Sequence, residues 1–533
     1  MILTIVGLAL ICLAEVKAAE EAQEAPYEMP PFEMNEVPEG LPWKYLRIEG
    51  YEMITLFPKE MSRRVLLSMQ RGQMMLPRAF QPQRSSPIGV ILFDATATKS
   101  PKAFPAVQAH YGSQRLSHSP VSWRSFSGAI RVYDQDSCIV AMRYENQLPV
   151  ALLSLRSTAE VALVECRPEP SAWLYQGLFG PFGVYEPGSV GTYSDRDELR
   201  FASLLWIDEP TTEALRRDPR LVPELIPLDR FFNAPPPDRK SDAQRFALWQ
   251  SQARLFVHWA LLAKKNPPFE ASAFWQFAND SRLGAVSEEK FRSYFDRDYA
   301  TALAELRAYL PVAVKNGVDR AVPGLHEAAT KTEFVYRAAT ESEVARIKGN
   351  FERLETQRLK EADPELAKRY EQAARRSLLR ATHFVPADPR VYGILGLLEF
   401  DAGEPLEARR HLERAYRDQG LGSRGLLALA RLRLDEVKAK DQGAFKLQAD
   451  DLERVLEPLF AARERKPALV ETYRLIAEVW ACSEVQPTRG HLAVLQEGVR
   501  FFPWDEELRD KTRALHRQFG YEDDPAAVAS GER

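Results

Sequence analysis

Tyr51, Met53, Thr55 and Phe57 alternate with Glu52, Ile54 and Leu56. A period of two with apolar side chains in both sets predicts a strand whose two faces are at least partly covered. A helix is expected from about Pro58, where Met61, Val65 and Met69 return every four residues. The continuous apolar run Pro87–Asp94 is bounded by turn residues and reads as a buried strand. In GAIRVYDQDSCIVAMRY two apolar stretches flank Asp134-Gln135-Asp136-Ser137, which predicts a hairpin. Strand, helix and hairpin together suggest a small α+β domain. Near Leu152 the period changes: Leu152, Leu155, Ala159 and Ala162 share one helical face, and a short apolar helix opens at Pro170-Ser171-Ala172-Trp173-Leu174. Ala234–Lys240 (APPPDRK) reads as a linker. Ser241-Asp242-Ala243-Gln244 then has the S-x-x-Q form of a capping box ahead of a long helix striped with Phe246, Trp249, Ala253, Phe256 and Ala260. From there almost every segment reads as helix.

A longer period runs through the C-terminal third. Ala374, Leu378 and Ala381 match Ala408, Leu412 and Ala415 at an offset of 34 residues. Tyr392, Leu395 and Gly396 precede the second set, and Leu426, Leu429 and Ala430 continue the register one period on. Tyr473, Ile476, Ala477 and Trp480 repeat it, with Leu495, Gly498 and Pro503 closing that unit. Over residues 350–520 this resembles the tetratricopeptide repeat, in which small residues let two antiparallel helices approach and large ones fill the gap to the next pair. A plain α-α bundle is the alternative. The segment DEVKAKDQGAFKLQADD distorts the spacing. Arrays of this family bind peptides along the first helix of each repeat. Carried over, the groove positions are Arg390 and Leu397, then Arg424, Leu427 and Arg431, then Arg474 and Glu478. Four arginines would suit an acidic segment or a free carboxylate. Ordinary solvated helix charges are the other reading.

Composition narrows the class. At 533 residues the chain is long enough for two to four domains, and 45% hydrophobic with 27% charged residues is globular. A net charge of -4 gives no pull toward nucleic acid or an anionic membrane. The apolar run Ile2–Leu13 is too short to span a bilayer, and Val16-Lys17-Ala18 offers a cleavage site. Residues 1–19 are therefore expected to be a signal peptide, although no Lys or Arg precedes the run; a buried N-terminal helix is the alternative. No small residue precedes Cys12, which speaks against a lipid anchor. Cys138, Cys166 and Cys482 form no C-x-x-C and no disulfide framework; a Cys138–Cys166 bridge and two buried thiols both remain open.

A second resemblance covers Trp43 to about Val314. Pro170-Ser171-Ala172-Trp173-Leu174-Tyr175-Gln176-Gly177-Leu178 is similar to the P-x-W-L-x-E-G-L-A segment of secreted gluzincin (peptidase-MA-type) domains, echoed by LIPLDRFF (Leu225–Phe232) and by residues 288–310. In active relatives the Glu of that segment is the third zinc ligand, and an upstream H-E-x-x-H helix supplies two histidines. Here Gln176 stands at the ligand position, and residues 119–257 contain no histidine. The resemblance thus implies a degenerate zinc site, with no catalytic residue, no metal and no cofactor. His258 projects opposite Trp249, with Ala247, Ser251 and Arg254, and is expected to lie off the core face. Asp296-Arg297-Asp298 reads as a helix cap. No G-x-S-x-G, P-loop or Gly-rich dinucleotide turn occurs.

The expectation is an α+β region (a small sheet with helices, degenerate metallopeptidase-like) followed by an all-α helical solenoid of tetratricopeptide type. The expected divisions are 1–19 signal peptide, 20–40 acidic disordered segment, 41–233 peptidase-like domain, 234–240 proline-rich linker, 241–340 helical subdomain, 341–520 repeats and 521–533 disordered tail. The expected function is a non-catalytic interaction protein, periplasmic or secreted, that binds a protein or peptide of acidic character, with neither nucleic acid nor a lasting membrane span. The alternatives are a hydrolase with an unrecognised site and an envelope component that oligomerises through its repeats.

Overall fold

The computed structural model describes residues 42–74, 76–81, 84–94, 113–114, 122–126, 129–134, 136–144, 163, 166, 170–179, 200–201, 204–262, 271–315, 318–319, 334–384, 386–440 and 445–521. The segments expected to be a signal peptide and an acidic disordered segment, and nearly all of the expected tail, lie outside the described residues.

The alternating N-terminal pattern forms a mixed sheet. Strands β1 (Lys44–Ile48) and β2 (Tyr51–Thr55) make a hairpin, and helix α1 (Lys59–Met74) carries the chain to β3 (Ile88–Asp94), parallel to β2. Strands β4 (Ser113–Gln114), β5 (Ser122–Phe126), β6 (Ala129–Tyr133) and β7 (Cys138–Tyr144) follow, with β7 parallel to β3. Period-two geometry sends neighbouring side chains to opposite faces. Leu46, Met53, Val90 and Met142 meet Val65, Leu66 and Met69 of α1 on one face. Tyr45, Ile54, Ile91, Val132, Ile139 and Ala141 point to the other. Both faces of the Tyr51–Thr55 strand are buried, as its double apolar set implies.

A second core is helical. It gathers α2 (Ala172–Phe179), α3 (Glu209–Arg217), α4 (Leu228–Asn233), α5 (Ala243–Leu262), α6 (Ala271–Asp280), α7 (Glu288–Phe295) and α8 (Tyr299–Lys315). The two-residue strands β8 (Arg200–Phe201) and β9 (Val318–Asp319) pair beside it. Trp173 sits among Phe232, Phe256, Phe274 and Phe277, with ring centroids 5.3–6.2 Å away. The 234–240 segment joins α4 to α5 within this one core, since Phe231 and Trp249 stand 6.2 Å apart across it. Asp242, not Ser241, caps α5: its Oδ1 accepts the Arg245 N–H at 3.1 Å. Asp298 caps α8 in the expected manner, accepting the Thr301 N–H at 2.7 Å. Cys138 and Cys166 are thiols buried in separate cores.

Strand β10 (Val335–Ala338) then returns to pair antiparallel with β1, giving the order β10-β1-β2-β3-β7-β6-β5-β4. Helix α9 (Glu341–Val344) runs through a π-turn (Ala345–Gly349) into α10 (Asn350–Leu359). Ile347, Phe351 and Leu354, from this turn and helix, cover the open face of the sheet together with Ala367 and Tyr370. The expected boundary at residue 340 falls between β10, which completes the edge of the sheet, and the helices that cover one face of that sheet.

Helices then alternate with short connections: α11 (Pro364–Thr382), α12 (Pro389–Ala402), α13 (Pro405–Arg417), α14 (Ser423–Lys440), α15 (Ala449–Glu464), α16 (Val470–Ala481), α17 (Arg489–Phe501) and α18 (Glu506–Gln518). The repeated small and large positions pack as pairs. Ala374, Leu378 and Ala381 on α11, and Ala408, Leu412 and Ala415 on α13, are all buried. A Cβ on Gly396 of α12 would lie 2.6 Å from Leu412 Cγ, and one on Gly393 would lie 3.8 Å from Ala415 Cβ. Those two contacts run in opposite chain directions, so α12 and α13 are antiparallel and closely approached. The spacing holds from α12 to α14 and stretches before α16, because α14 continues to Lys440.

Candidate interaction site where the sheet meets the helical array

The β6–β7 hairpin brings an acidic turn onto the first-helix face of the array. Tyr133 pairs with Cys138, closing the turn Asp134–Ser137. Asp134 Oδ1 accepts the N–H groups of Asp136 (2.9 Å) and Ser137 (2.7 Å), the local bonding that makes Asp a turn residue. Its other oxygen points into the array, where Arg353 Nη2 of α10 (2.5 Å) and Arg424 Nη1 of α14 (2.7 Å) donate to it. Asp401 of α12 completes a ring, accepting from Arg353 Nη1 at 3.2 Å and Arg424 Nη2 at 2.5 Å. Asn350 Oδ1 takes the Arg353 Nε–H at 3.0 Å. The side chains of Asp134 and Arg353 are fully buried. Two residues on, half-buried Asp136 caps α14 from outside its own helix: its Oδ2 accepts the N–H groups of Arg424 (2.6 Å) and Gly425 (3.2 Å).

The electrostatics follow from this arrangement. Burial alone would raise the Asp134 pKa, but the charges of Arg353 and Arg424 and their hydrogen bonds hold it well below the usual carboxylate range. Burial and the neighbouring Asp134 charge push Asp136 up to about 6, against the opposing pull of the α14 amides. Arg424 is raised: burial works against its charge, and Asp401 and Asp134 outweigh burial.

The remaining groove residues are placed as follows. Arg390 pairs with Asp388, Nη2 to Oδ2 at 2.8 Å. It lies eleven residues before Asp401 on α12, about 17 Å along the axis, and so does not join the ring. Leu397 is buried with Leu412 in the interior of the array, and Leu427 packs partly buried against the C-terminal core. Arg431 makes a two-bond pair with Glu478 (3.0 and 3.2 Å), which also receives Lys438 Nζ at 2.9 Å. Arg474 pairs with Asp505 and with Glu507, the latter at 2.9 Å. Each of the four arginines thus already holds a carboxylate of this chain, and Arg424, only 7% exposed, does not line an open groove. Sequence reasoning named Arg424 and the hairpin separately. It missed Arg353 and Asp401, which sit on helices with no mark to distinguish them from solvated charges.

Gln176 is half-buried on α2, and its Oε1 accepts from Gln250 Nε2 of α5 at 2.6 Å. The upstream helix expected at 150–165 lies outside the described residues apart from Leu163. His258 is buried, not off the core, because residues 251–260 of α5 are buried on every side: Ser251 Oγ accepts from Ile207 N–H, and Gln252 holds both the N–H and the C=O of Ile226. His258 Nδ1 lies 2.9 Å from the Tyr309 hydroxyl, and burial lowers its pKa to about 4. Among the described residues no three His, Cys, Asp or Glu side chains converge as a metal would need. The Gln176 amide is thus bonded to a second amide, and His258 to a tyrosine. Comparison of the chain with protein-family models, with curated proteins and with solved structures found no match.

Proposed function

We propose that this chain is an exported, non-catalytic interaction protein whose helical array holds a partner protein or peptide through the face formed by α10, α12, α14 and α16. The observation that carries this reading is the seating of Asp134 between Arg353 and Arg424: the face receives a carboxylate supplied by another part of the chain. Charge-assisted two-bond pairs of Arg with carboxylate give both energy and geometry, which favours an acidic partner segment. The part of the face still open to solvent carries Arg431, Lys438, Glu478 and Arg474, whose side chains are 26–39% exposed. No helix among the described residues is long and apolar enough to cross a membrane. The degenerate Gln176 position supports a role without hydrolysis.

The test is affinity capture from envelope extract with the mature wild type, an Arg431→Glu/Arg474→Glu variant and the pair-restoring Arg431→Glu/Glu478→Arg. Loss of one partner with the first variant, and its return with the second, is the expected result. Identical captures from all three folded proteins would remove the support for this face.

A further inference from the structure

We infer that the crevice between α10, α12 and α14 is a receptor for an acidic turn, and that the β6–β7 hairpin is its resident occupant, an autoinhibitory contact that an acidic partner segment must displace. This rests on the functional reading above and deepens it.

The argument begins with what the array presents if the hairpin is set aside. Arg353 and Arg424 face one carboxylate, Asp401, leaving a surplus positive charge. The first turn of the eighteen-residue α14 adds the free N–H groups of Arg424 and Gly425 at the positive end of the helix. Two guanidinium groups and a helix N-terminus converging on one spot make an anion receptor with two subsites. The first lies between the arginines and takes an ionised carboxylate; the second, at the helix end, takes an acceptor oxygen. The hairpin fills both with groups two residues apart, Asp134 and Asp136. Asp134 Oδ1 serves the turn itself, but its second oxygen and the Asp136 carboxylate are spent on the array and not on closing the sheet. A two-residue Asn-Gly turn would serve that purpose. The second oxygen of Asp134 and the carboxylate of Asp136 are therefore explained by the array.

Occupancy from within the same chain explains how the site would be controlled. A tethered group acts at an effective concentration of roughly millimolar or more, so a free segment of about 10 μM intrinsic affinity is weakened by about 100-fold or more while the hairpin is in place. A partner engages either by offering a stronger acidic turn or by holding the exposed α14–α16 part of the face at the same time.

The experiment uses the mature chain with residues 134–137 replaced by Asn-Gly. The probe is a fluorescent, backbone-cyclised peptide spanning residues 132–139, and binding is read by anisotropy. The shortened chain is expected to bind at least about 100-fold more tightly than the wild type, with affinity falling as salt rises. Adding Arg424→Gln, or using the peptide with Asp134→Asn, is expected to abolish it. A folded shortened chain that binds no better than the wild type, or that binds the Asn peptide equally well, overturns the proposal. If the shortened chain does not fold, hydrogen exchange in the intact protein decides. Asp136→Ala is expected to speed exchange of the Arg424 and Gly425 amides at least about tenfold, while Asp136→Asn, which keeps an acceptor, does not speed it; unchanged rates in both overturn the proposal. Failure here, alongside partner loss in Arg431→Glu/Arg474→Glu, would end self-occupancy and leave the interaction role standing. The converse pattern would end the partner face and keep the occupied crevice.

Discussion

Gly177→Ala is the sharpest test of the packing in the helical core. A Cβ built on Gly177 of α2 would lie 2.4 Å from Val257 Cγ2 and 2.7 Å from the Ala253 carbonyl oxygen, both on α5. The valine methyl can rotate away, but the carbonyl belongs to the backbone of a buried helix and cannot. An ordinary contact needs about 3.4 Å, so α2 must retreat by roughly 0.7 Å and loosen Trp173, Leu174 and Leu178 at once. Overpacking of this kind costs about 1–3 kcal/mol. Against it stands the helix preference of Ala over Gly, about 1 kcal/mol in the opposite sense. Because the Ala253 carbonyl cannot yield, the upper part of that range, about 2–3 kcal/mol, applies, and the net expectation is a loss of about 1–2 kcal/mol, felt locally. Trp173 fluorescence during urea unfolding and amide exchange along α2 and α5 would measure it. The double variant Gly177→Ala/Val257→Ala should recover little, because the carbonyl contact remains. A Gly177→Ala chain as stable as the wild type, or full rescue by Val257→Ala, would refute the argument.

Asp134→Asn leaves Arg353 and Arg424 sharing one carboxylate in a buried ring, and should destabilise the sheet–array junction by about 3–5 kcal/mol in denaturant unfolding. Asp136 has its folded pKa raised to about 6, so the stability linked to it is present below its unfolded value near 4 and lost as pH rises through 6. Facing it are Asp134 of its own hairpin, the Arg424 and Gly425 amides and the Arg424 guanidinium, and beyond them Arg353 and Asp401. Asp136→Asn should therefore be more stable than the wild type at pH 7.5, by about 1–3 kcal/mol, and equal to it at pH 4; thermal melts across that window would show it. Gln252→Leu strands both the N–H and the C=O of Ile226 in the interior and should cost about 2–4 kcal/mol, read as faster exchange in the 221–227 segment.

Periodic features were legible in the sequence. The strand at Tyr51–Thr55, the hairpin around Asp134–Ser137 and the matched positions of α11 and α13 all follow from side-chain period, which burial enforces. His258 was misplaced because a helical projection assumes one solvent face, and α5 has none over residues 251–260. Ser241 yielded to Asp242 as the cap because each has the right chemistry and the helix begins one residue later than the pattern suggests. The candidate site was half legible. Arg424 stood out by its position in a repeat, but pairing between residue 134 and residues 353 and 424 spans most of the chain. A charge on a helix bears no sign of which distant charge will meet it.

The place of β10 beside β1 has a consequence for synthesis. Tyr45, Ile54, Ile91, Phe93 and Val132 emerge early, yet the groups that cover them, from Ile347 to Tyr370, and the edge strand that pairs with β1 follow some 200 residues later. At about 5–20 residues per second, that face waits roughly 10–40 s on the ribosome. The Trp173 core can close in the meantime, since all its members precede Lys315. The growing chain therefore completes its middle before its beginning, and any fragment ending ahead of α10 carries a bare apolar sheet for a holdase to shield.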